Sequence, residues 1–282
     1  MKIGVVGSGV VGGAIAKSYT EFAEEVRVYD VVKERRTHPL SAVLNCSDII
    51  FLCLPTPRRE GARACNLDYL EEFFRDVTTN PGNPGGLWNE ANYVLRSTVP
   101  VGTTRRLAEK YRLPNLVHSP EFLTARVAAV DAQMPTRNVV GYVPTDPENP
   151  RKRVEDTLVG LYRRRFPGVP VHIMTSDESE AVKLFQNSVF AVTVAMWNEL
   201  RAYADKASLD WEAVREAVLA DGRISPSHTQ VPGPDGKFGF GGACLPKDLA
   251  NLAECMAGAD LEPVLCNAAL RRNERDRARN RP

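Results

Sequence analysis

The first thirty residues place a glycine-rich loop between two segments of different periodicity. Residues 2–6 (KIGVV) predict a short buried strand, which is followed by Gly7-Ser8-Gly9-Val10-Val11-Gly12. Residues 13–22 then have the apolar spacing of a helix, and residues 26–30 (VRVYD) predict a second strand that ends in Asp30. A GxGxxG motif between a strand and a helix, with an acid ending the next strand, is typical of a dinucleotide-binding βαβ unit.

Each glycine of this loop has its own physical reason. Gly7 permits the tight turn, Gly9 lets a pyrophosphate approach the backbone, and Gly12 allows the helix to pack closely. Val10 and Val11 of the loop are also predicted cofactor contacts, and the amino end of the helix that follows offers unpaired N–H groups and a positive dipole end to the phosphates. The loop therefore predicts a phosphate-binding site.

Asp30 bears on which dinucleotide binds. Its carboxylate is placed to accept hydrogen bonds from the adenosine ribose, and its charge would repel a 2′-phosphate. We therefore predict NAD as the cofactor. The basic residues Lys33, Arg35 and Arg36 follow closely, so NADP remains the alternative.

The remainder of the first half alternates predicted strands with predicted helices. Apolar runs predict strands at 47–55, 93–96, 115–118 and 138–143, and helical spacing predicts helices at 66–78 and from residue 102. Such alternation favours a parallel, doubly wound sheet. We predict an α/β fold with a Rossmann-type domain over residues 1–150.

The second half is predicted to be entirely helical. Residues 176–204 lack glycine and proline and predict one long helix of about 45 Å at 1.5 Å per residue. Residues 221–242 predict a long loop rich in Gly, Pro and Ser, and further helices are predicted at 151–165, 210–220, 246–258 and 263–279. We predict a helical domain over residues 151–282, whose highly charged last dozen residues are expected to fray.

Composition excludes several classes of partner. Lys plus Arg number 36 and Asp plus Glu number 35, so the net charge of +1 argues against nucleic acid and against an anionic membrane. Apolar runs are too short to span a bilayer, and the first residues lack the features of a secretory signal. The six cysteines and four histidines show no metal-ligand spacing. We predict a cytoplasmic protein without a metal.

Cys244 lies in the run Gly239-Phe240-Gly241-Gly242-Ala243-Cys244-Leu245-Pro246-Lys247-Asp248. The preceding glycines let the backbone approach a ligand, and Lys247 and Asp248 follow the thiol at three and four residues. A nearby cation stabilises a thiolate, which is the nucleophilic form of cysteine. A nucleophilic thiol together with a nicotinamide cofactor indicates oxidation through a covalent sulfur adduct.

Taken together, these residues resemble the UDP-glucose/GDP-mannose dehydrogenase family from Met1 to about Arg279. The resemblance rests on the glycine loop, the cysteine run and five further motifs: residues 54–57 (LPTP), 97–104 (STVPVGTT), 119–123 (SPEFL), 180–187 and 198–199 (NE). It implies two successive oxidations of a nucleotide-sugar primary alcohol to a carboxylate, with two NAD consumed. It also implies a homodimer.

The resemblance assigns catalytic roles to six residues. Cys244 would form a thiohemiacetal and then a thioester with the substrate, and Lys183 and Asn187 would contact the reacting oxygen. Asp248 would position a water, Glu121 would assist thioester hydrolysis, and Thr98 would bind the same water. Lys183 and Asn187 are four residues apart on the predicted long helix and therefore share a face.

Binding roles follow from the same resemblance. Arg223 is expected to reach the substrate of a neighbouring subunit. Beyond the glycine loop and Asp30, the predicted cofactor contacts are Pro55, Thr56, Thr98 and Lys247. The predicted substrate contacts are Glu121, Phe122, Leu123, Lys183, Asn187, Arg223, Phe240, Gly241, Cys244 and Lys247.

We predict UDP-glucose as the substrate and UDP-glucuronate as the product. UDP-N-acetyl sugars and GDP-mannose remain open, because the sequence ends where family members usually carry a third domain that helps to hold the nucleotide. A naturally short chain, a partner polypeptide and a piece of a longer protein are the three explanations. Two other functions also remain: a single-step NAD-dependent hydroxy-acid dehydrogenase, and a shortened homologue that binds nucleotide or a partner without turnover.

Overall fold

The computed structural model describes residues 1–59, 65–79, 91–144 and 153–279. Contacts divide the chain into two compact units. The first comprises Met1–Pro57 and Asn66–Lys183, and the second comprises Arg58–Cys65 and Leu184–Pro282.

The first unit is built on a seven-stranded sheet in the order β2-β1-β3-β4-β5-β6-β7. Neighbouring strands are parallel except β5 and β6, which pair antiparallel through His118 and Gly141. The strands are β1 (Lys2–Val6), β2 (Glu25–Tyr29), β3 (Ile49–Leu52), β4 (Asn92–Leu95), β5 (Leu116–His118), β6 (Asn138–Tyr142) and β7 (Val171–Thr175). The predicted α/β class with a Rossmann-type sheet is confirmed.

Helices cover both faces of this sheet, and strand β3 shows why. Ile50 and Leu52 point into one buried apolar cluster, while Ile49 and Phe51 point into another. A strand that is buried on both faces reads as a continuous apolar run. The helices of this unit are α1 (Val10–Tyr19), α2 (Leu40–Asn45), α3 (Asp68–Thr79), α4 (Thr103–Tyr111), α5 (Ala128–Asp131) and α6 (Gly160–Arg165), with a π-helical turn at Glu155–Val159.

Residues 153–183 belong to the first unit, although the sequence prediction assigned them to the second domain. Leu158, Leu161 and Tyr162 pack into the apolar cluster beneath α1, and β7 pairs in parallel with β6 along its whole length. The sequence prediction missed β7 because this edge strand is short and none of its five residues is fully buried. The first two residues of the helix predicted at 151–165 lie outside the described residues.

The second unit is helical, as predicted. Its helices are the later part of α7 (Ser176–Lys206), α8 (Trp211–Leu219), α9 (Leu245–Gly258) and α10 (Val264–Ala278). Ala191, Leu249 and Ala253 lie in its main apolar cluster, and Trp197 packs edge-on against Trp211 with ring centroids 5.8 Å apart.

Candidate active site

The glycine loop has a geometry that only glycine can adopt. Gly7 has φ +87°, and a Cβ atom there would lie 2.6 Å from the carbonyl oxygen of Cys53. A Cβ atom on Gly12 would lie 1.8 Å from the carbonyl oxygen of Gly7. At Gly9, by contrast, a Cβ atom would meet nothing within 4 Å, so this face of the loop is open. The loop is therefore closed toward the protein and accessible from outside.

Asp30 is fixed next to this loop. One carboxylate oxygen, Oδ2, accepts a hydrogen bond from the backbone N–H of Ser8 at 2.6 Å, and Oδ1 accepts one from Val32 at 2.8 Å. Each oxygen keeps a lone pair for a further donor. These bonds hold the buried carboxylate at the end of β2, the position from which such an acid meets a ribose.

A groove of about 500 Å³ lies over the amino end of α1. Gly9, Val10 and Gly13 form one wall, and residues 125–130 form the other. Lys17 and Arg126 contribute positive charge to its lining. Uncapped helix N–H groups, two cations and an adjacent fixed carboxylate suit the pyrophosphate and ribose of a dinucleotide, so the residues present fit NAD.

The loops that follow β3 and β4 are joined by two hydrogen bonds. The Thr56 hydroxyl donates to the carbonyl of Thr98 at 2.7 Å, and the Ser97 hydroxyl donates to the carbonyl of Leu54 at 2.6 Å. Thr56 and Thr98 are buried, whereas Pro55 is exposed. These loops lie at the carboxyl edge of the sheet, where doubly wound folds bind ligands.

Glu121 and Lys183 form a buried ion pair within the first unit. The ammonium of Lys183 lies 3.0 Å from Oε1 of Glu121, while Oε2 accepts a hydrogen bond from the backbone of Leu123 at 2.6 Å. The ammonium also lies 5.6 Å from the centroid of the Phe122 ring. Each charge is compensated by the other, which buried charges require. Two predicted catalytic residues are thus brought together.

The first turns of α7 are anchored by four hydrogen bonds that the sequence did not reveal. The His118 ring and the Ser179 hydroxyl lie 2.8 Å apart. Glu180 accepts three hydrogen bonds: from the backbone of Gly102 at 2.6 Å, and from the backbone and hydroxyl of Thr104 at 2.7 and 2.6 Å. Glu180 thereby satisfies N–H groups at the start of α4, just after the Thr98 loop, from a position one turn before Lys183.

Glu180 should give the protein a specific pH dependence. Burial raises its pKa from 4.5 to about 7, while its hydrogen bonds from Thr104 and Gly102 oppose the rise. Because the folded state then binds a proton that the unfolded state releases, this group's contribution to stability is lost as pH rises from about 4.5 through 7. Between about pH 5.5 and 7 the loss is about 2 kcal/mol. We expect Glu180→Gln to remove this slope in urea unfolding.

The pH slope of stability must be compared between variants, because His118 changes stability with pH in the direction opposite to Glu180. Burial lowers the pKa of His118 from 6.5 to about 3. Its contribution to stability is therefore present above pH 6.5 and is lost as pH falls from 6.5 toward 3. Glu178→Gln is the matched control on the same helix, since Glu178 is exposed and its pKa is lowered by hydrogen bonds from Thr175. An unchanged slope in Glu180→Gln would contradict the assignment.

A second set of predicted residues meets within the second unit. The Asn187 side-chain amide donates to Oδ2 of Asp248 at 2.5 Å, and the Lys247 ammonium lies 3.1 Å from Oδ1. Asp248 is only 1% exposed. The carboxylate is therefore held between an amide and a cation, in a fixed orientation.

Cys244 is the N-cap residue of α9 and is exposed. Its carbonyl accepts the backbone N–H of Asp248 at 2.8 Å, which closes the first turn beneath the thiol. The amino end of a helix favours negative charge. Cys46, which is also exposed, caps the carboxyl end of α2, where the dipole has the opposite sign.

The remaining thiols are less accessible. Burial raises the pKa of Cys53 to about 12 and that of Cys65 to about 11, and it also raises the pKa of Cys266. Cys255 is partly buried within α9. Exposure at a helix amino end therefore distinguishes Cys244 from the other five cysteines.

The carboxyl-terminal helix α10 holds the segment before Cys244. The backbone of Phe240 accepts a hydrogen bond from Nε of Arg277 at 3.0 Å and donates one to Asn273 at 2.7 Å. A Cβ atom on Gly241 would lie 1.9 Å from the Arg277 guanidinium, so a side chain at this position would displace the arginine. Asn198 accepts the backbone N–H of Gly239 at 2.9 Å. The chain is helical up to Ala278, and Asn273 and Arg277 of this helix bind the loop before Cys244. The expectation that the last dozen residues fray is therefore wrong for the residues up to Ala278.

Arg223 lies on the exposed loop between α8 and α9. It forms two hydrogen bonds with Asp221, at 2.5 and 2.7 Å. Its role toward a neighbouring subunit stays a prediction. Within the described ranges, no three His, Cys, Asp or Glu residues are grouped so that they could hold a metal ion. No helix in that same part of the chain is long and apolar enough to cross a membrane.

Two domain models of one family match the chain. Residues 35–164 match the NAD binding domain of the UDP-glucose/GDP-mannose dehydrogenase family, and residues 177–275 match its central domain. The chain belongs to this family. The prediction of family membership is confirmed, and so is the prediction of NAD as the cofactor, because the sheet unit matches the family's NAD binding domain.

Similar proteins include the UDP-glucose 6-dehydrogenase of Campylobacter jejuni, which is 29% identical over 229 residues. That alignment covers 81% of this chain but 54% of the relative, so the chain spans about half of its length. The Streptococcus pneumoniae UDP-glucose 6-dehydrogenase is 29% identical over 280 residues, which cover 89% of this chain and 68% of the relative. The structure of the UDP-glucose dehydrogenase from Pyrobaculum islandicum superposes with a TM-score of 0.82 at 25% sequence identity. The superposition covers 97% of this chain and 68% of that structure.

Proposed function

We propose that this protein oxidises the primary alcohol of a nucleotide sugar to a carboxylate, with UDP-glucose as the substrate and NAD as the oxidant. The observation that carries the proposal is the exposed thiol of Cys244 at the amino end of α9, four residues before the buried Asp248–Asn187 pair. Family membership supplies the substrate class, and the similar UDP-glucose 6-dehydrogenases favour UDP-glucose.

In the first oxidation the alcohol becomes an aldehyde. NAD supplies the hydride acceptor. The ammonium of Lys183 and the amide of Asn187 stabilise the oxygen as it loses its proton, since donors aimed at a developing oxyanion are worth more in a water-excluded site. The buried pair with Glu121 keeps Lys183 in a single orientation. Asp248 and Thr98 hold the water that accepts the proton.

In the second oxidation Cys244 retains the aldehyde. Its thiolate adds to the carbonyl carbon to form a thiohemiacetal, and loss of a second hydride gives a thioester. A water molecule, activated by Glu121, then hydrolyses the thioester to the carboxylate and frees the thiol. Each turnover thus consumes one alcohol, two NAD and one water, and yields one carboxylate, two NADH and three protons. Covalent attachment prevents release of the reactive aldehyde.

Further residues are proposed to bind the cofactor and the sugar nucleotide. The glycine loop, Asp30, Thr56 and Lys247 contact the cofactor, and Phe122, Leu123 and the segment around Phe240 contact the sugar nucleotide. We further propose a cytoplasmic homodimer in which Arg223 of one subunit reaches the substrate bound to the other subunit. The exposed position of Arg223 supports a role in contacts beyond its own chain.

The ratio of NADH formed to UDP-glucose consumed tests this function. We expect a ratio of two, measured by NADH absorbance and by chromatography of the sugar nucleotides. A ratio of one would contradict the double oxidation and would indicate a single-step alcohol dehydrogenase. No NADH from any UDP- or GDP-sugar, with NAD still bound, would indicate a homologue without turnover.

A further inference from the structure

The first turns of α7 lie directly on the sheet of the first unit. Gly141 of β6 permits this close approach, because a Cβ atom there would lie 2.5 Å from Cβ of Ser179 and 2.9 Å from Cα of Ser176. Glu180 follows in the same turn and is 1% exposed. Lys183 comes three residues later, so both side chains share one face of the helix. Any displacement of this turn would therefore also move the Lys183 ammonium.

Glu180 connects this turn with the amino end of α4. Its Oε1 accepts hydrogen bonds from the backbone N–H and the hydroxyl of Thr104, and its Oε2 accepts one from the backbone N–H of Gly102. Gly102 is the N-cap residue of α4 and has no side chain with which to cap the helix, so the carboxylate of Glu180 supplies the acceptor. An ionised carboxylate only accepts hydrogen bonds, and it therefore matches these three donors.

The loop that contains Thr98 leads directly into the residues that Glu180 binds. Thr98 precedes Gly102 by only four positions in the chain. On its other side, the loop is held by the Thr56 hydroxyl, which donates to the carbonyl of Thr98 at 2.7 Å. Glu180 therefore holds the second end of this loop, and it does so from the helix turn that leads to Lys183.

We propose that Glu180 is a positioning residue, which sets the Thr98 loop and the Lys183 ammonium in a fixed relation to one another. This inference rests on the proposed function, in which Lys183 stabilises the reacting oxygen and Thr98 helps to bind the water. The Glu180 carboxylate already accepts three hydrogen bonds from α4 and its N-cap, so it acts through its neighbours and not on the substrate. A misplacement of catalytic groups by about 1 Å can lower a rate by about 10²-fold, even when the changed residue lies away from the chemistry.

Steady-state kinetics of Glu180→Gln test this role in the reaction. Glutamine has nearly the same size, but its amide nitrogen would meet a donor of α4 instead of offering an acceptor. We expect kcat to fall by about 10- to 100-fold, while KM for UDP-glucose changes less than about twofold because the binding groups remain. Rates are measured at about pH 8.5, since burial raises the pKa of Glu180 to about 7 and the carboxylate must be ionised. An unchanged kcat would overturn the proposal, whatever happens to Tm.

Thr104 tests the same contact from the other helix, and its variants decide if Glu180→Gln does not fold. Thr104→Val removes the hydroxyl that donates to Glu180 at almost constant volume, whereas Thr104→Ser keeps it. We expect kcat to fall several-fold in Thr104→Val and to stay near the wild-type value in Thr104→Ser, and equal rates would contradict the proposal. Arg105→Met is the matched control, because Arg105 joins the same two helices through the partly exposed Asp177. Its kcat should stay unchanged, and a loss as large as that of Thr104→Val would deny Glu180 a specific role.

A double-mutant cycle in urea unfolding separates this proposal from the proposed oxidation. The coupling between Lys183 and Glu121 is measured with Lys183→Met, Glu121→Gln and the double variant, first in the wild-type background and then in Glu180→Gln. If Glu180 positions Lys183, the coupling should fall to about half or less in Glu180→Gln. An undiminished coupling would overturn the proposal even if the protein oxidises UDP-glucose. A wild type that forms no NADH would refute the oxidation, and the coupling would then still show whether Glu180 positions Lys183.

Discussion

Cys244→Ser is expected to stop formation of the sugar carboxylate while leaving the first oxidation in place. A serine hydroxyl has nearly the same size as the thiol but is a much weaker nucleophile at neutral pH. Carboxylate formation should fall by about 10³-fold or more, as when other covalent nucleophiles are removed. NADH formed per substrate consumed should drop from two to one, measured by absorbance and by mass spectrometry of the products.

Cys46→Ser is the matched control for this variant. Both cysteines are exposed, but Cys46 lies at the carboxyl end of a helix and Cys244 at an amino end. Cys46→Ser should keep the full rate and a ratio of two. Carboxylate formation at full rate by Cys244→Ser would show that the thiol is not the nucleophile.

Lys183→Met is expected to lower both stability and turnover. It leaves Glu121 as a buried carboxylate without its cation, and breaking a buried pair in this way typically costs about 3–5 kcal/mol. Loss of an oxyanion donor should also reduce kcat by about 10²–10³-fold. Urea unfolding and initial rates measure the two effects separately.

The double variant Glu121→Gln/Lys183→Met separates structure from chemistry. Removing both charges should recover most of the lost unfolding free energy, while turnover should stay low. Arg105→Met is the control, because its pair with Asp177 is screened by solvent and should contribute little to stability. If the double variant regained turnover, the Lys183–Glu121 pair would have only a structural role.

Local patterns allowed much of the fold to be predicted. The glycine loop runs from the end of β1 into the first turn of α1, and Asp30 follows β2, because the strand–glycine–helix pattern is contained within thirty residues. Helix α7 covers residues 176–206, close to the predicted 176–204, because no glycine or proline interrupts its apolar spacing. These features depend on neighbours in the sequence.

Long-range pairing could not be predicted in the same way. Glu180 meets Gly102 and Thr104 across more than seventy residues, and Arg277 binds the carbonyl of Phe240 from a charged helix that was expected to fray. Neither pairing follows from local periodicity or composition. Glu180 belongs to the motif at residues 180–187, one of those on which the family resemblance rests. The physical reason for a glutamate there, its hydrogen bonds to the start of α4, is visible only in the structure.

In the proposed mechanism, the thiol of Cys244 carries the substrate between the two oxidations. The most direct measurement is a rapid acid quench during turnover with UDP-glucose and NAD, followed by peptide mapping by mass spectrometry. We predict the peptide that contains Cys244 to carry the added mass of the substrate acyl group, and Cys244→Ser to carry none. An unmodified Cys244 peptide during active carboxylate formation, or an adduct on another residue, would show that this thiol does not carry the substrate.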